Sequence, residues 1–319
     1  MANNRWRQAL RAWRQGVEAL PVRAFWGLSG WLGPERGGQF GGWLFARFGP
    51  WSDRQSIILA NLKAAFPTLD RRATAKLAGE IWRNAGIVMA EYPHLSAIAD
   101  PKGGRIEVVL HSAFRPDRPS VFAGPHLASW EVPALGPIRN GIKMTAVYAP
   151  MANPRIDYWL HRWRQAIGAT LVPRDGSLRV LLRELRQGGS IGLVMDGRTG
   201  GGVPVDFFGM QRSVSPGPAY LALKSGAQLT TMTVERLGPA RYRLTIDAPI
   251  EADMSLANDQ ERIVAMMCEV NRRFEAYVRA QPGRWFCMKR AWPKWSMAAA
   301  AHAPEVADRL SGAPPSIPA

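Results

Sequence analysis

Apolar and polar positions along this chain fall into short stretches that switch between two periods. "RRATAKLAGEIWRNAGIVMAEY" (residues 71–92) carries apolar residues at three- and four-residue spacing and predicts a helix, preceded by the turn-like "FPTLD". Beyond it come compact strand-like runs: "RIEVVL", "SVFAG", "KMTAVYA", "TLVP", "SIGLVM", "VPVDFF", "QLTTMTVER" and "YRLTIDA". Between them lie helical patterns: one beginning near Ser129 and Trp130, then "PRIDYWLHRWRQAIG", "SLRVLLRELRQG" and "PGPAYLALKSG". The alternation predicts an α/β sheet covered by helices. "NDQERIVAMMCEVNRRFEAYVRAQ" predicts a closing helix, "PGRWFCMKRAWPKW" follows it, and no internal repeat is present.

The first fifty residues carry a different pattern. On a helical wheel Trp6, Leu10, Trp13, Val17 and Leu20 fall within an arc of ~80°, with Arg7, Arg11 and Arg14 beside them. Tryptophan and arginine together suit the boundary between acyl chains and anionic headgroups, and Phe25, Trp26, Trp31, Trp43, Phe45, Phe48 and Trp51 extend the aromatic content. Residues 1–52 are therefore expected to form an amphipathic, membrane-associating arm; a surface helix packed on the domain is the competing reading. The most apolar window, "GVEALPVRAFWGLSGWLG", is interrupted by Glu18, Pro21 and Arg23, so it makes neither a convincing span nor a cleavable signal. Residues 53–296 form the expected α/β domain. Residues 297–319, rich in Ala, Pro and Ser, form an expected disordered tail.

Composition narrows the partners. With 319 residues and 47% hydrophobic content the chain is long enough for a large core. Its 41 basic residues, 34 of them arginine, against 25 acidic give a net charge of +16 and point to a negatively charged partner: nucleic acid, an acidic carrier protein, a phosphorylated ligand or an anionic membrane. Cys268 and Cys287 are too few to staple the chain, which fits a reducing, cytosol-facing compartment. His94, His111, His126, His161 and His302 show no metal-ligand spacing, so neither metal nor bound cofactor is expected.

Candidate chemistry gathers in "VFAGPHLASWE" (residues 121–131). On an unbroken helix His126 and Glu131 would lie about 140° apart. If "SVFAG" is instead a buried strand and a helix starts near Ser129, with Pro133 in its first turn, the histidine sits on the loop and the two side chains can meet. In α/β sheets, ligands collect where strands end, and an imidazole held by a carboxylate can take a proton at neutral pH. A satisfied, partly buried histidine beside a helix-start carboxylate is the alternative. No G-x-S-x-G string supplies a serine nucleophile, so the substrate would bring its own.

These residues carry a resemblance. "GPHLASWE" resembles the H-x4-D/E motif of glycerolipid-type acyltransferases, and its surroundings resemble the late lipid A biosynthesis acyltransferases of the lauroyl/myristoyl type. "NLKAAFP" (61–67) with Glu91 after the next helix, "YAPMANPRIDYWLHRWR" with Arg164, "VPVDFFGMQRSVSPGPAYLALKSGA" and "PGRWFCMKRAWPKW" are similar to four ordered blocks of that family, across most of the chain. Gly197, in "DGRTGGG", stands where the family usually has glutamine, and Lys289 where it has histidine.

The resemblance implies an α/β fold with a mixed central sheet flanked by helices and an N-terminal helical arm. It implies an O-acyltransferase at the cytoplasmic face of the inner membrane, peripheral or monotopic, that moves a fatty acyl chain from acyl carrier protein or CoA to a hydroxyl of a lipid A precursor. Another glycolipid or a phospholipid acceptor is the alternative within the same fold family. His126 would be the base and Glu131 its orienting acid. Arg164, Arg174 and Arg198 are candidates for phosphate contacts, with Asp196 bracing the substrate site. A non-catalytic basic protein that binds nucleic acid or anionic membrane is the reading from another class, although no nucleic-acid module is visible. "DGRTGGG" as a nucleotide cradle lacks the required spacing and reads better as a turn.

Overall fold

The computed structural model describes residues 2–293, so the expected tail at 297–319 lies outside the described residues. The helices are α1 (Ala2–Phe48), α2 (Arg54–Ala65), α3 (Arg71–Glu91), α4 (Leu95–Ala99), α5 (Leu135–Arg139), α6 (Pro154–Arg164), α7 (Leu178–Arg186), α8 (Gly217–Ser225) and α9 (Asp259–Ala280). The strands are β1 (Ile106–Leu110), β2 (Ser120–Gly124), β3 (Met144–Tyr148), β4 (Thr170–Pro173), β5 (Ser190–Val194), β6 (Val203–Phe207), β7 (Met210–Val214), β8 (Gln228–Gly238) and β9 (Arg241–Ile246).

Seven strands form one mixed sheet in the order β1-β9-β8-β2-β5-β3-β4. All neighbours run parallel except β8 and β9. β2 lies at the centre and is buried at all five positions, as a strand covered on both faces must be. Local signals set several boundaries. Asp70 accepts from the Ala73 amide to cap α3, and Asn153 accepts from the Arg155 amide with Pro154 opening α6. Asn258 caps α9 while Glu261 reaches back to it.

Helix α1 bends at Gly33 (φ 80°), and beyond the bend it lies against α3 at backbone distance. A Cβ on Gly41 would stand 2.4 Å from the carbonyl oxygen of Gly86, and one on Gly86 2.1 Å from that of Gly41. Only glycines permit that approach. Trp26 Nε1 donates to the Met89 carbonyl and Ser29 Oγ to that of Ala90, while Asn153 Nδ2 reaches the Gln15 carbonyl. The opposite stripe of Trp6, Leu10, Trp13, Val17 and Leu20 is 45–67% exposed, so the domain core leaves it unused. Trp31, Trp43, Phe48 and Trp51 are exposed as well. No helix among the described residues is long and apolar enough to cross a membrane.

Two segments depart from the sequence pattern. No helix begins near Ser129: residues 125–134 are irregular and α5 starts only at Leu135. The reason is tertiary. Leu127 forms an antiparallel bridge with Trp285, the Ala128 amide donates to the Arg284 carbonyl, and the Phe286 amide donates to the His126 carbonyl. These bonds hold residues 126–128 in a non-helical course that ends at Ala128 with a φ of 50°, just before the expected helix start. The second departure is β7, which the apolar pattern does not mark. It pairs antiparallel with β6 through a tight turn at Phe208 and Gly209, both with positive φ, and forms a hairpin outside the main sheet.

Candidate active site

The register of β2 and β5 builds the centre of the site. Gly124 faces Val194 across the sheet, and the Met195 amide still donates to the Gly124 carbonyl. Each chain then runs two residues further, to His126 and to Asp196. Their side chains meet: His126 Nδ1 lies 2.6 Å from Asp196 Oδ1. The other carboxylate oxygen accepts from Trp285 Nε1 at 3.0 Å. With Asp196 as acceptor the ring proton sits on Nδ1, which leaves Nε2 with a free lone pair. The His126 side chain is 36% exposed, between the rings of Trp130 and Phe286 at centroid distances of 6.0 and 6.2 Å.

Asp196 is buried. Burial by itself would raise its pKa, but the charge and hydrogen bond of His126, the Trp285 indole and the charge of Arg212 outweigh it and hold the carboxyl below its ordinary value. Arg212, on β7, donates to the Asp196 backbone carbonyl at 2.8 Å and to Asn271 Oδ1 at 2.6 Å. Its own pKa is lowered to about 10 by burial, against the pull of Asp196 and Glu275. The Cys287 thiol is pushed up by burial and is no nucleophile at neutral pH. Among the described residues no serine, threonine or cysteine side chain bonds to His126.

Glu131 belongs to a separate cluster, which corrects its expected role. Arg164 grips it in bidentate fashion, Nε to Oε2 at 2.8 Å and Nη2 to Oε1 at 2.7 Å, and the Tyr92 hydroxyl donates to Oε1. Burial pushes the Tyr92 pKa up, reinforced by the neighbouring carboxylate. For Arg164, burial acts downward but Glu131 more than compensates, and the net shift is up. The rings of Trp26, Trp163 and Tyr92 surround the pair, with Trp26 and Trp163 4.9 Å apart. Glu131 therefore ties the His126 loop to α6 and to the turn that follows α3. Arg164 is thus paired with Glu131 through Nε and Nη2.

A second buried pair supports the same loop from the other side. Arg236 Nη1 donates to Glu91 Oε1 at 2.7 Å and Nη2 to the Ala128 carbonyl at 3.3 Å, while Tyr242 donates to the other Glu91 oxygen. Ala128 has a φ of 50°, an uncommon backbone conformation for alanine that these anchors hold in place. Of the remaining predicted positions, Arg174 is exposed and bonded to Asp175, and Arg198 is exposed two residues beyond Asp196.

Sequence reasoning placed His126 and missed its partner. It named Asp196 as a brace and left Trp285 and Arg212 without a role. One signal was available: "SVFAG" (120–124) and "SIGLV" (190–194) are similar apolar strands with a polar residue two positions beyond their ends, and parallel neighbours bring such residues together.

A histidine on a buried aspartate at the carboxyl edge of a mixed sheet, with no serine, threonine or cysteine bonded to it among the described residues, is an arrangement suited to the class of enzymes that activate a hydroxyl directly. The comparison with known proteins agrees with that class and narrows it. The chain belongs to the bacterial lipid A biosynthesis acyltransferase family, whose model matches residues 34–294, and it is an O-acyltransferase. It is 26% identical over 257 residues to the lipid A biosynthesis myristoyltransferase of Escherichia coli (strain K12), covering 78% of this chain and 76% of that one. Lipid A biosynthesis acyltransferase 1 of Shigella flexneri shows the same identity and coverage. The phosphatidylinositol mannoside acyltransferase of Mycolicibacterium smegmatis is 25% identical over 199 residues, 60% of this chain and 63% of that one.

Proposed function

We propose that this protein transfers a fatty acyl chain from a thioester on acyl carrier protein or CoA to a hydroxyl of a lipid A precursor, at the cytoplasmic face of the inner membrane. One observation carries the reading: His126 holds its Nδ1 proton on buried Asp196 and leaves Nε2 open. Nε2 takes the proton of the acceptor hydroxyl, the oxygen attacks the thioester carbonyl, and the C–O bond forms as the C–S bond breaks. The departing thiolate receives the proton back from the imidazolium. Asp196 sets the tautomer and stabilises the charged ring, while Glu131 and Arg164 keep the loop in place. General-base help of this kind is worth about 10²–10⁴-fold.

Exposed Arg174 and Arg198 supply cations for acceptor phosphates or the phosphopantetheine arm. The overall charge of +16 suits an acidic carrier and an anionic surface. The exposed Trp6–Leu20 stripe of α1, with arginines beside it, supports peripheral attachment to lipid. A different glycolipid acceptor is the second reading, favoured by the similarity to an enzyme named for phosphatidylinositol mannoside.

The test is acyl transfer by purified protein beside H126A, from acyl-carrier-protein and acyl-CoA donors to under-acylated lipid A precursor and to mannosylated phosphatidylinositol, read by mass spectrometry. A gain of one acyl chain on the lipid A precursor that vanishes in H126A is the expected result. A gain only on the mannolipid moves the acceptor to the second reading, and equal activity in H126A removes His126 as the base.

A further inference from the structure

Arg212 lies behind the site rather than in it. Its side chain leaves β7 for the space between the end of β5 and α9, and it is 2% exposed. One terminal nitrogen bonds to the backbone carbonyl of Asp196 and the other to Asn271, while the Phe207 ring covers the guanidinium at 3.6 Å. Its Nε has no hydrogen-bond partner among the described residues. Burying a guanidinium without a bonded carboxylate is expensive, and a neutral amide could bridge a carbonyl and an asparagine at lower cost. The positive charge itself therefore calls for an explanation, and the backbone it grips is that of the carboxylate facing His126.

We propose that Arg212 is a positioning residue for acyl transfer: its buried charge, held against the back of Asp196 by the Asp196 carbonyl and by Asn271, keeps the Asp196–His126 pair from taking up a proton, so that the base stays free at lower pH. The proposal rests on the reading of His126 as the base. The groups facing the pair are Arg212 on β7 and the neutral Trp285 and Cys287 of the closing segment, with Glu275 on α9 acting on Arg212 from further out. Exposed Arg198 follows on the same loop as Asp196. A fixed cation beside a carboxylate and an imidazole favours the deprotonated form of both. Removing it lets the coupled pair gain its proton at higher pH, whichever of the two groups holds it.

Two variants cancel the charge by different routes. R212Q keeps a donor for the Asp196 carbonyl without the charge, and N271D leaves Arg212 in place but neutralises it with an isosteric carboxylate. R212K retains the charge. The readout needs no substrate. Diethyl pyrocarbonate attacks neutral imidazole, and peptide mass spectrometry of the full chain follows labelling of His126 across about pH 5 to 8. The midpoint is expected to rise by about one pH unit in R212Q and N271D and to stay near wild type in R212K. In an acyl-transfer assay the acid limb of kcat/KM moves the same way.

An unchanged midpoint in folded R212Q or N271D overturns the proposal and leaves Arg212 as a structural pin. If R212Q does not fold, N271D decides, because its new ion pair preserves the bridge. A shifted midpoint in a protein that transfers no acyl group to any acceptor supports the role of Arg212 and sinks the acyltransfer reading instead.

Discussion

Asp196 and Glu131 are buried to nearly the same degree, each beside the loop that carries His126, yet they face different partners. Asp196 meets a ring that can gain and lose a proton, and its second oxygen is held by a neutral indole. Glu131 meets a guanidinium that stays charged and a tyrosine whose proton is held more firmly than usual. The first arrangement can change its protonation during a reaction cycle, whereas the second is fixed. Spacing in the motif associates His126 with Glu131, but the hydrogen bonds pair His126 with Asp196 and Glu131 with Arg164.

Exchanges at the two carboxylates break or sharpen that contrast. The largest effect belongs to the ring itself: H126A is expected to lower kcat by about 10²–10⁴-fold in a protein that still unfolds cooperatively, measured by acyl transfer and thermal denaturation. D196N should follow closely. An asparagine that turns its amide nitrogen toward Nδ1 forces the proton onto Nε2 and removes the free lone pair, so kcat is expected to fall about 10²-fold or more while KM stays near wild type.

E131Q should divide the other way. It leaves Arg164 buried without its counter-charge, and a loss of about 3–5 kcal/mol in denaturant unfolding is expected. Whatever folded enzyme remains should keep the acid limb of its pH profile. A kcat collapse in fully stable E131Q would instead return the orienting role to Glu131.

A smaller effect appears in stability against pH. The Asp196 carboxyl is held below its ordinary value, so the unfolded chain protonates first as pH falls. The stabilisation from its ionised form is complete above about pH 4 and is lost as pH drops through the folded-state value. D196N is expected to flatten that acid limb of the unfolding curve. Least of all, R174A and R198A should raise KM a few-fold at constant kcat, an effect that weakens with added salt.

Much of the fold was legible. The two periods in the chain predicted the strands and most of the helices, because each element buries a face whose spacing is written locally, as in "SIGLVM" and "SLRVLLRELRQG". Three features were not legible, all for the same reason. The segment at 129–134 avoids a helix because residues 284–286 take up backbone bonds of the loop just before it. β7 exists because β6 pairs with it, although Gln211 and Ser213 carry no apolar signal. Asp196 rather than Glu131 reaches His126 because parallel register brings together residues seventy positions apart. Each depends on a contact between distant segments, which local pattern does not record.

The bridge between Leu127 and Trp285 also has a bearing on how the enzyme comes into being. Trp285 holds the second oxygen of Asp196, and Phe286 forms one wall beside the imidazole. During synthesis, a nascent fragment that ends between residues 196 and 285 carries His126 and Asp196 but lacks the segment whose side chains flank both. A chain truncated there keeps the two residues without the indole that holds the aspartate and without one wall beside the imidazole.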